Sequence, residues 1–301
     1  MAESRIAVYG AIGANIAIAA TKFAVAAVTG SSAMLSEGFH SAVDSGNGVL
    51  LLIGTHLSER PATAEHPFGH GKELFFWSLI VAVLIFGLGG GLSIFEGVQH
   101  ILEPEPIRDA HWNYIVLAAA ALFEGISFTI ALRVFLRDKG ERPFWRALRT
   151  SKDPTTYTVL AEDFAALTGL AVAAVGIVLS QQYDLPEADG AASIIIGVIL
   201  AGVAVVLIYE ARGLLVGEGI RPDTAAAIRE LLSRHPLVRH VGPLLSMYIG
   251  PEEVLLTTDV EFDPNASSGE VAAAVRGFEH EIRQRFDKIS RIYIEAQAPR
   301  H

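Results

Sequence analysis

Long apolar segments separated by short polar connections make up the first two thirds of the chain. Each segment is long enough to cross the hydrocarbon core of a bilayer, about 30 Å, as an α-helix. The pattern predicts six transmembrane helices, at residues 6–28, 33–57, 74–98, 114–136, 155–179 and 191–207. The composition agrees, because 51% of the 301 residues are hydrophobic and the mean hydropathy is +0.40.

From about residue 219 the pattern becomes that of a soluble domain. It predicts two amphipathic helices and three alternating strands in the order αββαβ, at residues 223–234, 244–249, 254–262, 268–286 and 289–295. We therefore expect an α-helical membrane protein with six transmembrane helices over residues 1–212. A small α+β domain over residues 219–301 follows them.

Positive charge outside the apolar segments predicts the orientation. The connection after the fourth predicted helix is basic, with Arg137, Lys139, Arg142, Arg146, Arg149 and Lys152. By the positive-inside rule this connection is cytoplasmic, so both termini and the α+β domain are expected in the cytoplasm. The N-terminus lacks the features of a cleaved secretory signal. We expect an integral protein of the bacterial inner (cell) membrane.

Composition and motifs exclude several classes of function. The chain has no cysteine, so any metal must be held by nitrogen and oxygen ligands. A net charge of -10 argues against a nucleic-acid partner. The stretch around Gly69 and Lys72 lacks the rest of a phosphate-binding loop, and neither a helical His-Glu-x-x-His motif nor a nucleophile elbow occurs. We therefore expect neither an enzyme nor a resident cofactor.

The second predicted helix carries polar residues in the middle of its apolar sequence. They share a stripe roughly 80° wide on one helix face, and they are Glu37, His40, Asp44 and Asn47. Ionisable groups at membrane depth are rare and usually mark an ion pathway or a partner. The alternative is a helix end near water whose polar groups only hydrogen-bond to neighbouring helices.

The fifth predicted helix places Glu162 and Asp163 inside an apolar run. Carboxylates from this helix and the His40–Asp44 pair, four residues apart, could build one site between facing helices. Imidazole and carboxylate ligands suit zinc, manganese, iron or cobalt as divalent ions. The alternative for Glu162 and Asp163 is a salt bridge to a lysine such as Lys22 of the first helix.

His66 and His70 lie four residues apart in the connection between the second and third helices. Pro67 follows the first histidine, so this stretch is not a helical metalloprotease motif. The pattern leaves a loop metal site and a structural turn equally open.

Together these features resemble the cation diffusion facilitator family of metal–proton antiporters. The resemblance is carried by GSSAMLSEGFHSAVDSGN, HPFGHGK, LAEDFAALTGL, DGAASIIIGVIL and the αββαβ tail. It implies efflux of a divalent transition metal, zinc first and manganese, iron or cobalt as others, in exchange for protons by alternating access. It also implies a homodimer held through the cytoplasmic domain. The rival class is a membrane metal sensor or scaffold that does not transport.

The resemblance also implies a ligand set. His40 and Asp44 match the family's pair in the second helix, and Asp163 matches the second place of the pair in the fifth helix. Val159 occupies the first place and cannot bind metal, which resembles a branch of the family with Glu-Asp in this helix. We expect Glu162 to supply the missing oxygen directly or through a water. In the alternative, three protein ligands bind the metal and water completes its coordination shell. Glu162 then only tunes the proton affinity of Asp163.

The resemblance implies a loop site as well, at His66 and His70. Thr63 stands where the family often has an acidic ligand, three residues before the first histidine. The family's metal cluster in the cytoplasmic domain is depleted in this chain, because the last strand reads IYIEAQ instead of a histidine-rich sequence.

Overall fold

The structure is a computed structural model that describes residues 2–104, 107, 109, 111–138, 143 and 154–297. Most of the basic connection that predicts the orientation lies outside the described residues, namely Lys139, Arg142, Arg146, Arg149 and Lys152.

Six long helices form the first part of the described chain. They are α1 (Ala2–Thr29), α2 (Ser32–Ser58), α3 (Glu73–Leu102), α4 (His111–Asp138), α5 (Pro154–Gln182) and α6 (Glu187–Val216). Each predicted apolar segment falls within one of them. Within the described residues, α3, α4, α5 and α6 are long and apolar enough to cross a membrane. In α1 the corresponding apolar stretch is shorter, Asn15–Thr29. The chain therefore has a helical transmembrane domain, and the count of six spans stays a prediction.

Helix α3 changes its winding in the middle, where Ile85–Gly91 is π-helical. Its glycines allow a close approach to α6, as expected of small residues in membrane bundles. A Cβ atom on Gly90 would lie 3.0 Å from the carbonyl oxygen of Gly197 and 3.1 Å from the backbone nitrogen of Ala201. The glycine-rich sequence of α3 is thus a packing surface for α6.

The described chain divides into two compact units, one of residues 1–56 and 76–211 and one of residues 57–75 and 212–301. The second unit thus includes the connection between α2 and α3, which the sequence patterns place within the 1–212 domain. The first unit has an apolar core formed by side chains from its packed helices, including Met34, Ala173, Ile177, Ile196 and Leu200.

The C-terminal part has the predicted αββαβ order. Its elements are α7 (Pro222–Ser233), β1 (Val238–Gly250), β2 (Glu253–Phe262), α8 (Ser268–Arg285) and β3 (Ile289–Gln297). The strands form one sheet in the order β1-β2-β3, antiparallel between β1 and β2 and parallel between β2 and β3. Helix α8 makes the crossover that a parallel pair requires.

The sheet of the C-terminal part is covered by its two helices. Alternate residues of β2 are buried, as a sheet with one covered face requires, and the core includes Ile228, Leu232, Leu256, Val260 and Ile282. Strand β1 begins at Val238, six residues before the predicted start at residue 244. The added part of the strand includes Gly242 and Pro243. Proline is tolerated there because β1 lies at the sheet edge, and the pairing shifts register between Val241 and Leu244.

Candidate functional site

The polar face predicted for α2 is buried. Glu37, His40 and Asn47 are 0%, 2% and 1% exposed, and the Asp44 side chain is 16% exposed. His40 Nδ1 lies 3.5 Å from Asp44 Oδ1, one helical turn away. His40 Nε2 has no hydrogen-bond partner among the described residues. A buried ring nitrogen left without a partner costs free energy, unless a ligand can occupy it.

Glu162 of α5 meets this face directly. The side-chain amide of Asn47 donates a hydrogen bond of 2.7 Å to Glu162 Oε1, which ties α2 to α5. Asp163 accepts a hydrogen bond of 2.9 Å from the Ser127 hydroxyl of α4. Consecutive residues lie about 100° apart around a helix, so the two carboxylates of α5 contact different neighbours.

Acidic groups from two other helices act electrostatically on Asp44, namely Glu162 and Asp163 of α5 and Glu124 of α4. Within the described part of the chain, however, no three histidine, aspartate or glutamate side chains are gathered closely enough to hold one metal ion. The structure thus brings together the His40–Asp44 pair and places Glu162 against the same face. The full ligand set stays a prediction.

Lys22 of α1 has a different partner from the one considered above. Its ammonium donates to Glu37 Oε2 at 2.9 Å and to the Ser41 hydroxyl at 2.8 Å. The side chains of Lys22 and Glu37 are both 0% exposed. The alternative interpretation, in which Lys22 forms a salt bridge with Glu162 or Asp163, is therefore wrong. Packing of α1 against α2 brings Lys22 to the nearer carboxylate.

Asp189, in the first turn of α6, caps the start of α2. Its carboxylate accepts hydrogen bonds from the Ser31 hydroxyl at 2.8 Å and from the backbone amides of Ser32 and Ala33. The first amides of a helix lack partners within it, and a carboxylate there also interacts favourably with the helix dipole. His100 Nε2 lies 3.9 Å from the same carboxylate. Sequence reasoning did not find this role, although serines at a helix start are a capping signal.

The connection between α2 and α3 forms a tight turn. The Thr63 hydroxyl accepts a hydrogen bond of 3.1 Å from the His66 amide, and Gly69 adopts φ of 86°, a left-handed conformation that favours glycine. The rings of His66 and His70 lie close, with centroids 4.4 Å apart. A structural turn is therefore present, and the metal site at the two histidines stays a prediction.

The end of this connection packs against β1 within the same unit. Gly71 approaches the backbone of Ile249 and Gly250 so closely that a Cβ atom on Gly71 would collide with the carbonyl oxygen of Ile249. Lys72 Nζ donates to the Leu215 carbonyl at 3.3 Å. These contacts explain why glycine and lysine follow the second histidine.

Two histidines of the C-terminal part make local contacts. His235 packs edge-on against Phe278, with ring centroids 5.1 Å apart, and a ring nitrogen of His280 lies 2.9 Å from the side-chain nitrogen of Gln284. No metal-binding group of three forms in the described residues.

Residues 8–216 match the family model described as the cation efflux transmembrane domain. The chain therefore belongs to the cation efflux family of membrane transporters, the cation diffusion facilitators.

Two curated relatives illustrate the range of the family. The chain is 36% identical over 238 residues to a protein of Xenopus laevis named proton-coupled zinc antiporter SLC30A9, mitochondrial; the match covers 78% of this chain and 42% of that protein. This chain thus spans about two fifths of that relative's length. It is 28% identical over 289 residues to the magnetosome protein MamM of Paramagnetospirillum magneticum, covering 94% of this chain and 85% of that protein.

The chain also matches a solved structure, the nickel form of a MamM C-terminal-domain variant. The match covers 27% of this chain and 100% of the chain in that structure. It is 19% identical, with a TM-score of 0.25, and at this score the likeness adds no argument.

Proposed function

We propose that this protein exports a divalent transition-metal cation in exchange for protons, with zinc as the first candidate and manganese, iron or cobalt as others. The observation that supports this proposal most directly is the buried pair on α2, where His40 Nδ1 and Asp44 Oδ1 lie 3.5 Å apart. Membership of the cation efflux family supports transport. The name of the Xenopus relative supports zinc and proton coupling, whereas the MamM relative's name leaves the metal open.

The chemistry of these ligands accounts for the exchange. Metal binds imidazole and carboxylate only in their deprotonated forms, so an arriving ion displaces protons. When the site opens to the other side and the metal leaves, the same groups take up protons again. Alternating exposure through rocking of helix groups then couples metal efflux to proton influx.

The proposed ligand set is His40, Asp44 and Asp163, with Glu162 in place of the absent ligand at Val159. Asn47 supports the assignment of Glu162, because its hydrogen bond holds the Glu162 carboxylate against α2. Glu162 Oε2 is then free of that bond and can be offered to an ion. Under this proposal the chain belongs to the branch of the family with Glu-Asp in α5.

The proposed architecture has six transmembrane helices over residues 1–212, with both termini and a dimerising domain of residues 219–301 in the cytoplasm. The membrane is proposed to be a bacterial cell membrane, although one relative's name places that protein in mitochondria.

Residues 219–301 expressed alone should dimerise in the presence of chelator, because they contain few potential metal ligands and apolar contact must hold the dimer. Sedimentation showing only monomer would contradict this.

His66 and His70 are proposed as a second metal site, in the connection between α2 and α3. Their rings are close, and the Thr63 hydroxyl is engaged by the His66 amide. Loss of the site through His66→Ala and His70→Ala should leave transport at saturating metal intact.

Metal flux into proteoliposomes, with and without an imposed pH gradient, tests the proposed transport. The parent should transport zinc, and the zinc flux should be faster when the imposed gradient drives protons in the direction opposite to zinc flow. Asp44→Ala and Asp163→Ala should each abolish flux, whereas Asp223→Ala, at a side chain 82% exposed, serves as the control. Metal binding without flux in the parent would instead indicate the rival class, a membrane metal sensor or scaffold.

A further inference from the structure

Ser127 is a polar residue in the apolar middle of α4, where the sequence reads LFEGISFTIAL. Its hydroxyl donates a hydrogen bond of 2.9 Å to Oδ2 of Asp163 on α5. The sequence patterns did not single out Ser127, and it is not among the proposed metal ligands. The bond therefore joins a helix without a proposed ligand to the helix that carries Glu162 and Asp163.

The hydrogen bond of Ser127 differs from the one that hydroxyls within helices commonly form. A serine or threonine inside a helix often bonds to the carbonyl oxygen of the residue four positions earlier. Thr129 of α4 donates in this way to Gly125 at 2.7 Å, and Thr168 of α5 forms the same kind of bond at 2.8 Å. Ser127 instead bonds to the neighbouring helix. Its hydroxyl is thus directed at the Asp163 carboxylate.

The two adjacent carboxylates of α5 have partners on different helices. Glu162 Oε1 accepts a hydrogen bond from Asn47 of α2, and Asp163 Oδ2 accepts one from Ser127 of α4. Oδ1 of Asp163 takes no part in the bond to Ser127, so it can bind an ion while Oδ2 stays fixed. Carboxylates that bind metal in proteins are themselves hydrogen-bonded to further residues, which fix their orientation.

We propose that Ser127 is a positioning residue of the transport site, which fixes the Asp163 carboxylate through Oδ2 and leaves Oδ1 available to the divalent cation. This inference rests on the proposed function, in which Asp163 is a ligand. An unrestrained side chain loses conformational freedom when it binds an ion, and that loss weakens binding. A carboxylate already held by a hydrogen bond loses less freedom, so the metal binds more tightly. Ser127 thus acts through Asp163 and does not itself contact the ion.

The competing explanation is that the bond between Ser127 and Asp163 only ties α4 to α5. Asp163 is half-buried, and a carboxylate at membrane depth needs a polar partner whether or not it binds metal. The two explanations predict different results for metal binding. Loss of a structural tie lowers the stability of the helices and leaves zinc affinity at the parent value, whereas loss of a positioning bond lowers zinc affinity.

The test compares Ser127→Ala, Ser127→Val and Ser127→Thr with the parent. Threonine keeps the hydroxyl, whereas valine has nearly the same shape without it, and the exposed position of Ser127 leaves room for both. Zinc affinity is measured by calorimetry on the purified full chain in detergent, and zinc flux is measured in proteoliposomes.

We expect Ser127→Ala and Ser127→Val to bind zinc about tenfold more weakly, which is the lower end of the usual loss when a metal ligand is deprived of its hydrogen-bond partner. The KM for zinc should rise, while the maximal flux is largely kept. Ser127→Thr should bind zinc like the parent. Thr129→Ala is the matched control, because it removes a hydroxyl whose bond lies within α4, and it should leave zinc affinity unchanged.

Zinc affinity at the parent value in Ser127→Ala and Ser127→Val would overturn the proposal, even if thermal melts showed lower stability. Tighter zinc binding would overturn it as well, because Ser127 would then hold Asp163 away from the ion. Failure of the proposed function gives a different result. A parent that binds zinc without transporting it contradicts export, and the comparison of zinc affinities still decides the role of Ser127.

Discussion

Asn47 of α2 and Glu162 of α5 are joined by a hydrogen bond of 2.7 Å from the amide nitrogen to Oε1. This bond links the helix that carries His40 and Asp44 to the helix that carries Asp163. It also gives a polar partner to a carboxylate that would otherwise be costly to bury. The Glu162 side chain is thereby held against the face of α2 that carries this pair.

Glu162→Gln should weaken metal binding clearly, because a neutral amide replaces a charged oxygen ligand. The glutamine side-chain oxygen can still accept the hydrogen bond from Asn47. Val159→His in that background should restore part of the affinity, since a nitrogen donor then occupies the family's usual ligand position. Calorimetry with zinc measures both. If Glu162→Gln binds metal like the parent and changes only the pH dependence of transport, Glu162 tunes Asp163 and is not a ligand.

His40→Asp should keep part of the transport and shift its preference toward harder ions such as manganese, because a carboxylate replaces a borderline nitrogen donor. Competition between zinc and manganese in the flux assay measures the shift. His56→Asp, near the end of the same helix, is the matched control. An unchanged metal profile would show that His40 does not contact the ion.

Asp189→Ala should destabilise the first unit by about 1–3 kcal/mol, since it leaves buried amides and hydroxyls at the start of α2 without an acceptor. Asp189→Asn should cost less, because an amide oxygen can still accept. Thermal unfolding in detergent measures both, with the exposed Glu187→Ala in the same helical turn as the control. Equal stability of Asp189→Ala and Glu187→Ala would contradict the capping role.

Gly71→Ala should destabilise the second unit by about 1–3 kcal/mol, because the new methyl group collides with backbone atoms that cannot rotate away. Gly277→Ala in α8 is the control, since a Cβ atom there meets nothing within 4 Å and alanine favours a helix interior. Thermal melts of the full chain should separate the two. A Gly71→Ala melt like that of the parent would show that the turn and β1 do not pack as described.

Glu270 and Ser267 form a capping box at the start of α8. The hydrogen bonds from the Ser267 hydroxyl and amide lower the pKa of Glu270 below its ordinary value of 4.5. A lowered folded pKa adds stability that is present above the ordinary value and is lost as pH falls through the folded one. Ser267→Ala should therefore reduce the acid sensitivity of unfolding in this pH window. Identical pH profiles of variant and parent would contradict it.

Local patterns were enough to predict most of the fold. Apolar runs predicted all six long helices, although α6 continues nine residues beyond the predicted end at residue 207. The helical period predicted that Glu37, His40, Asp44 and Asn47 share one polar face of α2. The start of β1 at Val238 was not predicted. The strand includes Gly242 and Pro243, and its position at the sheet edge, which local sequence does not reveal, explains why it can contain a proline.

Long-range partners could not be predicted in the same way. The sequence suggested Glu162 or Asp163 as partners of Lys22, and only the packing of α1 against α2 shows that the partner is Glu37. The bond between Ser31 and Asp189 joins positions 158 residues apart, a distance over which neither periodicity nor spacing carries information. Whether the ligands close around an ion depends on the same kind of packing.

The cap that Asp189 places on α2 links the assembly of the bundle to the order of synthesis. The second helix leaves the ribosome long before α6 exists, so its first amides lack this acceptor until the last long helix has been made and has packed beside it. A nascent chain that stops before α6 therefore carries a helix with proposed metal ligands and an uncapped start. Completion of α6 is therefore the event that supplies the missing acceptor at the start of the helix that carries the proposed metal ligands.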